Sequence, residues 1–232
     1  MAQRIPAALL LSGLFVACGS GSEPPPPAPN ALANASFEQG REPWYDMRRP
    51  EVPAWGTFEI SDAEAFDGSH ALRLALDSAD FPGGTGIAGA VQEVPLPGPP
   101  HILRGHYRVD RWERGTPIQY IQVVVMSMHP LNFPQWRSAS IQVAFVLAGI
   151  DDPPFEIANR RFDFLGPVEP EQGRWIPFEI DLHEAFKRHW TYLPRDGSTM
   201  RLFLEARFDG FEERGDRRAR ADVYFDALHL GD

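Results

Sequence analysis

Several residues have types and spacings on which chemistry could rest. Cys18 is the only cysteine of the 232-residue chain, so it has no disulfide partner within it. A lone thiol directly behind a short apolar run suits covalent modification rather than cross-linking. His183, Glu184 and His189 share one segment. A zinc-protease helix needs two histidines four residues apart on one face. His183 and His189 are six apart and no third ligand is in view, so zinc catalysis is not expected. No Gly-x-Ser-x-Gly elbow occurs either. Glu179, Asp181, Glu205 and Asp209 are the carboxylates available for a two-carboxylate hydrolysis. On alternating strands most of them read as solvated surface charges. Trp112, Tyr120 and Trp136 are the best candidates for an aromatic platform. Arg104, His106 and Arg108 form a polar strand face that can fix a ligand's orientation. Trp44 and Trp175 read as packing residues. The charged run 214–220 reads as a hairpin tip.

The elements that position these residues are short. Leu72, Leu74 and Leu76 alternate with Ala71, Arg73 and Ala75. Leu103, Tyr107 and Val109 alternate with Arg104, His106, Arg108 and Asp110, and Leu202 to Phe208 repeats the pattern. Successive strand side chains point to opposite faces, so each run buries one face and presents the other. The runs 118–126 and 141–147 are apolar on both faces, as expected of central strands or of strands covered by a loop. Tyr224 to Leu230 makes the final strand. Only one helix is expected: Leu182, Ala185, Phe186 and Trp190 share a face, with Asp181 as the N-cap. Many short strands separated by Pro and Gly predict an all-β fold. Residues 151–154 and 166–172 read as exposed loops, and 114–173 as an elaboration of a smaller core.

The first residues are a unit of their own. Arg4 gives a positive start, an apolar run follows from Ala7 to Val16, and Ala17 precedes Cys18. That order describes an export signal over residues 1–17. Phe15-Val16-Ala17-Cys18 resembles the lipobox of bacterial lipoprotein precursors, with Phe15 where leucine is usual. The resemblance implies cleavage before Cys18 and lipid on its sulfur. Gly19, where that group's inner-membrane signal has Asp, points to the outer membrane. Residues 18–29 then form a lipidated cysteine and a Pro-rich tether, flexible in its Gly/Ser part and stiff in its Pro run. Residues 30–232 remain as one domain. Its chain carries a formal charge of −10, which excludes the basic stripe of a nucleic-acid-binding protein. The membrane is reached through the lipid only.

Three segments carry a wider resemblance. Asn34-Ala35-Ser36-Phe37-Glu38-Gln39-Gly40 is followed by Trp44. Asp67-Gly68-Ser69-His70-Ala71-Leu72 leads into a strand, and Tyr224-Phe225-Asp226-Ala227-Leu228 closes the domain. In this order they resemble the CenC-type carbohydrate-binding modules and the galactose-binding-like jelly-roll group. The resemblance implies a jelly-roll β-sandwich of two antiparallel sheets with one short helix. It also implies a structural calcium joining the two ends, held by Glu38 and Asp226 with oxygens from the Asp67-Gly68-Ser69 turn. Calcium takes several carboxylate and carbonyl oxygens.

These readings converge on a non-catalytic envelope lipoprotein whose domain binds a ligand, most of all a carbohydrate. Two alternatives are a structural or protein-binding lipoprotein that docks on an envelope partner, and a polysaccharide-processing hydrolase or lyase. Oligomeric state is not legible.

Overall fold

The computed structural model describes residues 29–47, 57–80, 84–95, 101–115, 117–129, 140–191, 193–194, 197–211 and 217–231. Cys18, the tether and Trp136 therefore lie outside the described residues.

Eleven strands and one α-helix follow in the order β1 (Tyr45–Asp46), β2 (Glu59–Ser61), β3 (Ala71–Asp77), β4 (Gly84–Pro95), β5 (Ile102–Glu113), β6 (Ile118–Met128), β7 (Ser140–Ala148), β8 (Arg160–Phe164), β9 (Trp175–Asp181), α1 (Leu182–Trp190), β10 (Thr199–Phe211) and β11 (Arg220–Gly231). They form a six-stranded sheet, β1-β4-β10-β6-β7-β8, and a five-stranded sheet, β2-β3-β11-β5-β9. All pairings are antiparallel except β7 with β8. The fold is a jelly-roll β-sandwich, as expected. The alternation on β3, β5 and β10 sends Leu74, Val109 and Leu204 into one shared core, where each is fully buried.

The helix also forms where its pattern places it. Asp181 is the N-cap, its side chain accepting from the Glu184 N–H at 2.9 Å. Leu182, Ala185, Phe186 and Trp190 are its buried residues. His189 meets Asp163 of β8 at 2.7 Å, which ties the helix to the rim of the six-stranded sheet.

The segment 114–173 is not an elaboration. It supplies β6 and β7, and β6 sits between β10 and β7 inside the six-stranded sheet. It also supplies β8, which the 149–159 link joins to β7. A parallel pair needs a crossover, and this link carries the chain back to the start of β7. Its ends are held by Gly149 N–H to Pro167 O (3.1 Å) and Gln142 N–H to Asn159 O (3.0 Å).

The opening segment 30–47 closes one end of the sandwich and touches both sheets. Ala31 N–H donates to Leu230 O at 2.8 Å and Leu228 N–H to Ala35 O at 3.0 Å, which joins it to β11. Gln92 of β4 pairs with Ala33 through both side-chain atoms, at 2.9 Å each. Asn34 folds the turn on itself: Oδ1 accepts from Gln39 N–H, and Nδ2 donates to Gly40 O and Glu42 O. The turn holds Phe37 at φ 60, an uncommon conformation that persists only where the surroundings over-determine it. Phe37 and Trp44 are both buried there and pack 5.4 Å apart.

Candidate functional site

The residues expected to hold calcium do meet, but through hydrogen bonds. A bulge in β11 after Asp226, with Ala227 at φ 49, turns Phe225 and Leu228 to the core. It leaves Asp226 fully buried against the Phe66–Gly68 turn. Asp226 Oδ2 accepts from the Phe66 and Asp67 N–H groups at 2.8 and 2.9 Å, and Oδ1 from Ala227 N–H at 2.6 Å. Glu38 Oε1 accepts from Ser69 and His70 N–H at 2.9 and 2.8 Å, while Oε2 faces His70 Nδ1 at 3.3 Å. The backbone donors hold the Glu38 carboxyl below its usual range. Burial pushes Asp226 up, against the pull of its three N–H partners.

Every one of these four oxygens faces a nitrogen. A cation among them would confront the positive ends of N–H dipoles, so this arrangement does not fit a calcium ion. No group of three His, Cys, Asp or Glu side chains suited to a metal occurs among the described residues. Gly68 is required twice over. It stands at φ 76, and a Cβ there would lie 2.5 Å from Glu38 Oε1.

Of the expected ligand platform, the two described rings do not meet. Trp112 of β5 points into the core and Tyr120 of β6 is fully buried. They stand in different sheets. Arg104, His106 and Arg108 do share the outer face of the five-stranded sheet. Arg108 is occupied by Asp110 at 2.6 Å and Glu64 at 3.0 Å. His106 lies under Phe66, ring centroids 3.6 Å apart, and burial lowers its pKa. Trp175, expected to be a core residue, is half-buried on that same face, edge-on to Phe66 at 6.0 Å.

A candidate site that sequence reasoning missed lies on the other sheet. On the outer face of the six-stranded sheet, a trough of about 610 Å³ is lined by Tyr45, Met47, Val91, Met126, Gln142, Phe155, Ile157, Arg160, Phe203, Glu205 and Arg207, among others. Strand alternation places Arg201, Phe203, Glu205, Arg207 and Asp209 of β10 on this face. Their cross-strand partners on β6 are Met126, Val124, Gln122, Tyr120 and Ile118. The 149–159 link then brings Phe155 and Ile157 over the sheet, and β8 brings Arg160.

The floor is polar and buried. Glu205 and Asp209, expected to be solvated, are only 1% and 8% exposed. Asp209 is fully engaged: it accepts from Arg207 Nε and Nη2 (2.8 and 3.1 Å), Thr85 Oγ1 (2.8 Å) and Tyr120 OH (2.6 Å). Burial drives the Tyr120 hydroxyl far above its usual pKa, so it remains a donor. Glu205 Oε2 accepts from Gln122 Nε2 at 2.5 Å. Gln122 Oε1 is buried without a partner. Arg160 donates through Nε and Nη2 to Gln142 Oε1 at 3.1 and 3.0 Å. Both guanidiniums flank the Phe155 ring, Arg160 at 5.6 Å and Arg207 at 4.9 Å from its centroid.

The carboxylates on this face do not have the spacing of two-carboxylate hydrolysis. Glu205 and Asp209 sit four residues apart on one strand, roughly 13 Å along it at about 3.3 Å per residue. Glycosidase carboxylates stand about 5–9.5 Å apart. Asp209 has no free oxygen to offer a water or a leaving group. Of the other carboxylates considered, Glu179 is exposed and Asp181 caps α1. His183, its ring tilted against that of His101 with centroids 3.5 Å apart, lies outside the trough.

No family model matches the chain, and no curated protein matches it. Among solved structures it is similar to TmCBM61 in complex with β-1,4-galactotriose, at 15% identity and TM-score 0.43, over 87% of this chain and 97% of that one. A carbohydrate-binding module of the β-sandwich superfamily matches at 13% identity and TM-score 0.45, over 86% of this chain and 62% of that one. A protein from Bacteroides vulgatus described as a candidate glycoside hydrolase matches at 11% identity and TM-score 0.39, over 75% of this chain and 76% of that one.

Proposed function

We propose that the domain is a non-catalytic carbohydrate-binding module whose ligand lies in the trough on the outer face of the six-stranded sheet. One observation carries the reading: a sheet face that would ordinarily be solvated holds a concave site with aromatic walls and a buried, hydrogen-bonding floor. Tyr45, Phe155 and Phe203 supply rings on which the apolar face of a sugar can rest. Glu205, Gln142, Arg160 and Arg207 supply the few placed polar groups that orient it. About 610 Å³ falls within the roughly 300–1,000 Å³ of ordinary ligand sites. The fully engaged Asp209 argues for retention without cleavage, and the CenC-type resemblance of the opening and closing segments points the same way.

Affinity electrophoresis against a panel of soluble polysaccharides tests this. At least one polymer retards the wild-type chain. Phe155→Ala weakens that retention about tenfold, a stacking contribution near 1.4 kcal/mol, with little change in melting temperature because Phe155 lies off the sheet. Failure of every polymer to retard the protein overturns the reading in favour of an envelope-protein ligand. Release of sugar from a retained polymer makes the chain an enzyme instead.

Display belongs to the same proposal. Lipid on Cys18 anchors the domain to the bacterial envelope, at the outer membrane, through the 18–29 tether. Metabolic labelling with palmitate in a bacterial host marks the wild-type chain and not Cys18→Ser. An unlabelled wild-type chain in the soluble fraction overturns the anchor and leaves the trough untouched.

A further inference from the structure

The trough keeps polar groups that the protein itself does not satisfy. Arg160 uses Nε and Nη2 on Gln142 Oε1, and its Nη1 takes no partner among the described residues. Arg207 uses Nε and Nη2 on Asp209, and its Nη1 is likewise open. Gln142 Nε2, on the floor beside Arg160, donates to nothing among the described residues. Facing these N–H groups are the second oxygen of Glu205, whose partner oxygen is held by Gln122, and Asp46 Oδ2, whose partner oxygen takes Arg41 and Thr57; Gln122 Oε1 is open on the floor among the described residues.

The charges are uneven in their pairing. Arg207 is neutralised in place by Asp209. Arg201, at one end of the trough, is neutralised by Glu93. Of the three arginines that line the trough, Arg160 alone has no hydrogen-bonded carboxylate among the described residues. Burial lowers its pKa, and the nearby charge of Glu205 only opposes that shift. Arg160 and Glu205 thus line one cavity as opposite charges without touching. A buried cation is costly unless paired and hydrogen-bonded, so this gap is a place for a ligand anion.

We infer that the trough takes an acidic polysaccharide, with a sugar carboxylate or sulfate ester on the open N–H groups of Arg160, Gln142 and Arg207, and a sugar hydroxyl donating to Glu205. The inference rests on the glycan reading above and narrows it. A sugar hydroxyl can use these groups but brings no charge to Arg160. An oxyanion only accepts, and a guanidinium meets it with two parallel N–H groups in a strong, charge-assisted contact. The chain's formal charge of −10 opposes a polyanion at long range, so capture is a local effect of this site rather than steering.

The test uses the full chain and three polymers: polygalacturonate, the same polymer with its carboxylates reduced to alcohols, and a sulfated galactan. Calorimetric titration is expected to give at least tenfold tighter binding of one acidic polymer than of the reduced one. The tighter of the two acidic polymers names the oxyanion. Arg160→Gln removes that preference, and Arg160→Lys, which keeps the charge without the fork, restores part of it. Equal or tighter binding of the reduced polymer overturns the inference while leaving a glycan site in place. Binding of none of the three, when a neutral polymer of another backbone is retained, also overturns it. Failure of every glycan overturns this and the broader reading together. If Arg160→Gln does not fold, the comparison of polygalacturonate with its reduced form on the wild-type chain decides alone.

Discussion

Asp226→Ala is expected to lower stability by about 3 kcal/mol, a fall in melting temperature of about 6–12 °C for a domain of this size. The carboxylate is fully buried and accepts three backbone N–H bonds, from Phe66, Asp67 and Ala227. Hydrogen bonds to a charged group are worth about 1.5–3 kcal/mol each. The sum is reduced because Asp226 is costly to bury and because the freed turn, where Phe66 and Asp67 are exposed, can reach water. Asp226→Asn should fall between: its one oxygen still serves Phe66 and Asp67, while its amide nitrogen opposes the Ala227 N–H. The same experiment separates the hydrogen-bonded clamp from a calcium clamp. With backbone N–H donors on three of the four carboxylate oxygens and the His70 ring against the fourth, excess chelator leaves the wild-type melting curve where it was. A chelator-induced drop as large as that of Asp226→Ala would mean that a cation, not the backbone, holds the turn.

Gly149→Ala is expected to cost about 3 kcal/mol and to abolish polysaccharide retention. Gly149 stands at φ 112, where a Cβ is strained, and that Cβ would lie 2.2 Å from Gln119 O and 2.6 Å from Tyr120 Cα. Both contacts are to backbone, which cannot swing aside. Left-handed strain and overpacking each cost about 1–3 kcal/mol. The displaced strand would be β6 at Tyr120, whose hydroxyl is one of the four donors on Asp209. The displaced loop would be the 149–159 link that carries Phe155. One methyl group therefore disturbs both the floor and the wall of the trough. Calorimetry of folding and titration with the retained polymer read the two effects separately. Undiminished binding by a destabilised Gly149→Ala would place the ligand elsewhere.

The fold was legible where a rule of period two applies along a single strand. Leu72, Leu74 and Leu76, or Leu202 and Leu204, declare their buried face without reference to neighbours. Helix α1 declared itself through Asp181 and four apolar residues on one face. The ends of the chain were legible through motif order, which brought Glu38, Asp67 and Asp226 to one place. What the motif could not specify was which atoms would face them, and those proved to be backbone nitrogens.

The trough was hidden for a physical reason. Read along β10, Arg201, Glu205, Arg207 and Asp209 form a polar face that any solvated strand would show. Their burial is set by chains distant in sequence: β4 and β6 on either side, and Phe155 and Arg160 from beyond β7. One signal did point there. The runs 118–126 and 141–147 are apolar on both faces, which required a cover over the sheet. The polar strand β10 lies beside the first of these runs and comes under the same cover. The aromatic count misled instead: Trp112 went to the core, and Tyr120 became a hydroxyl donor beneath the floor rather than a ring above it.

The opening segment has a mechanical consequence. It is sewn to β11 through Ala31 and Ala35, and to β4 through Ala33 and Gln92. Tension arriving from the residues before Asn30 is thus divided between the two layers of the sandwich. Such tension draws the layers together at that end instead of unzipping one of them from its margin. A pull on the opening segment is therefore met by both sheets at one seam.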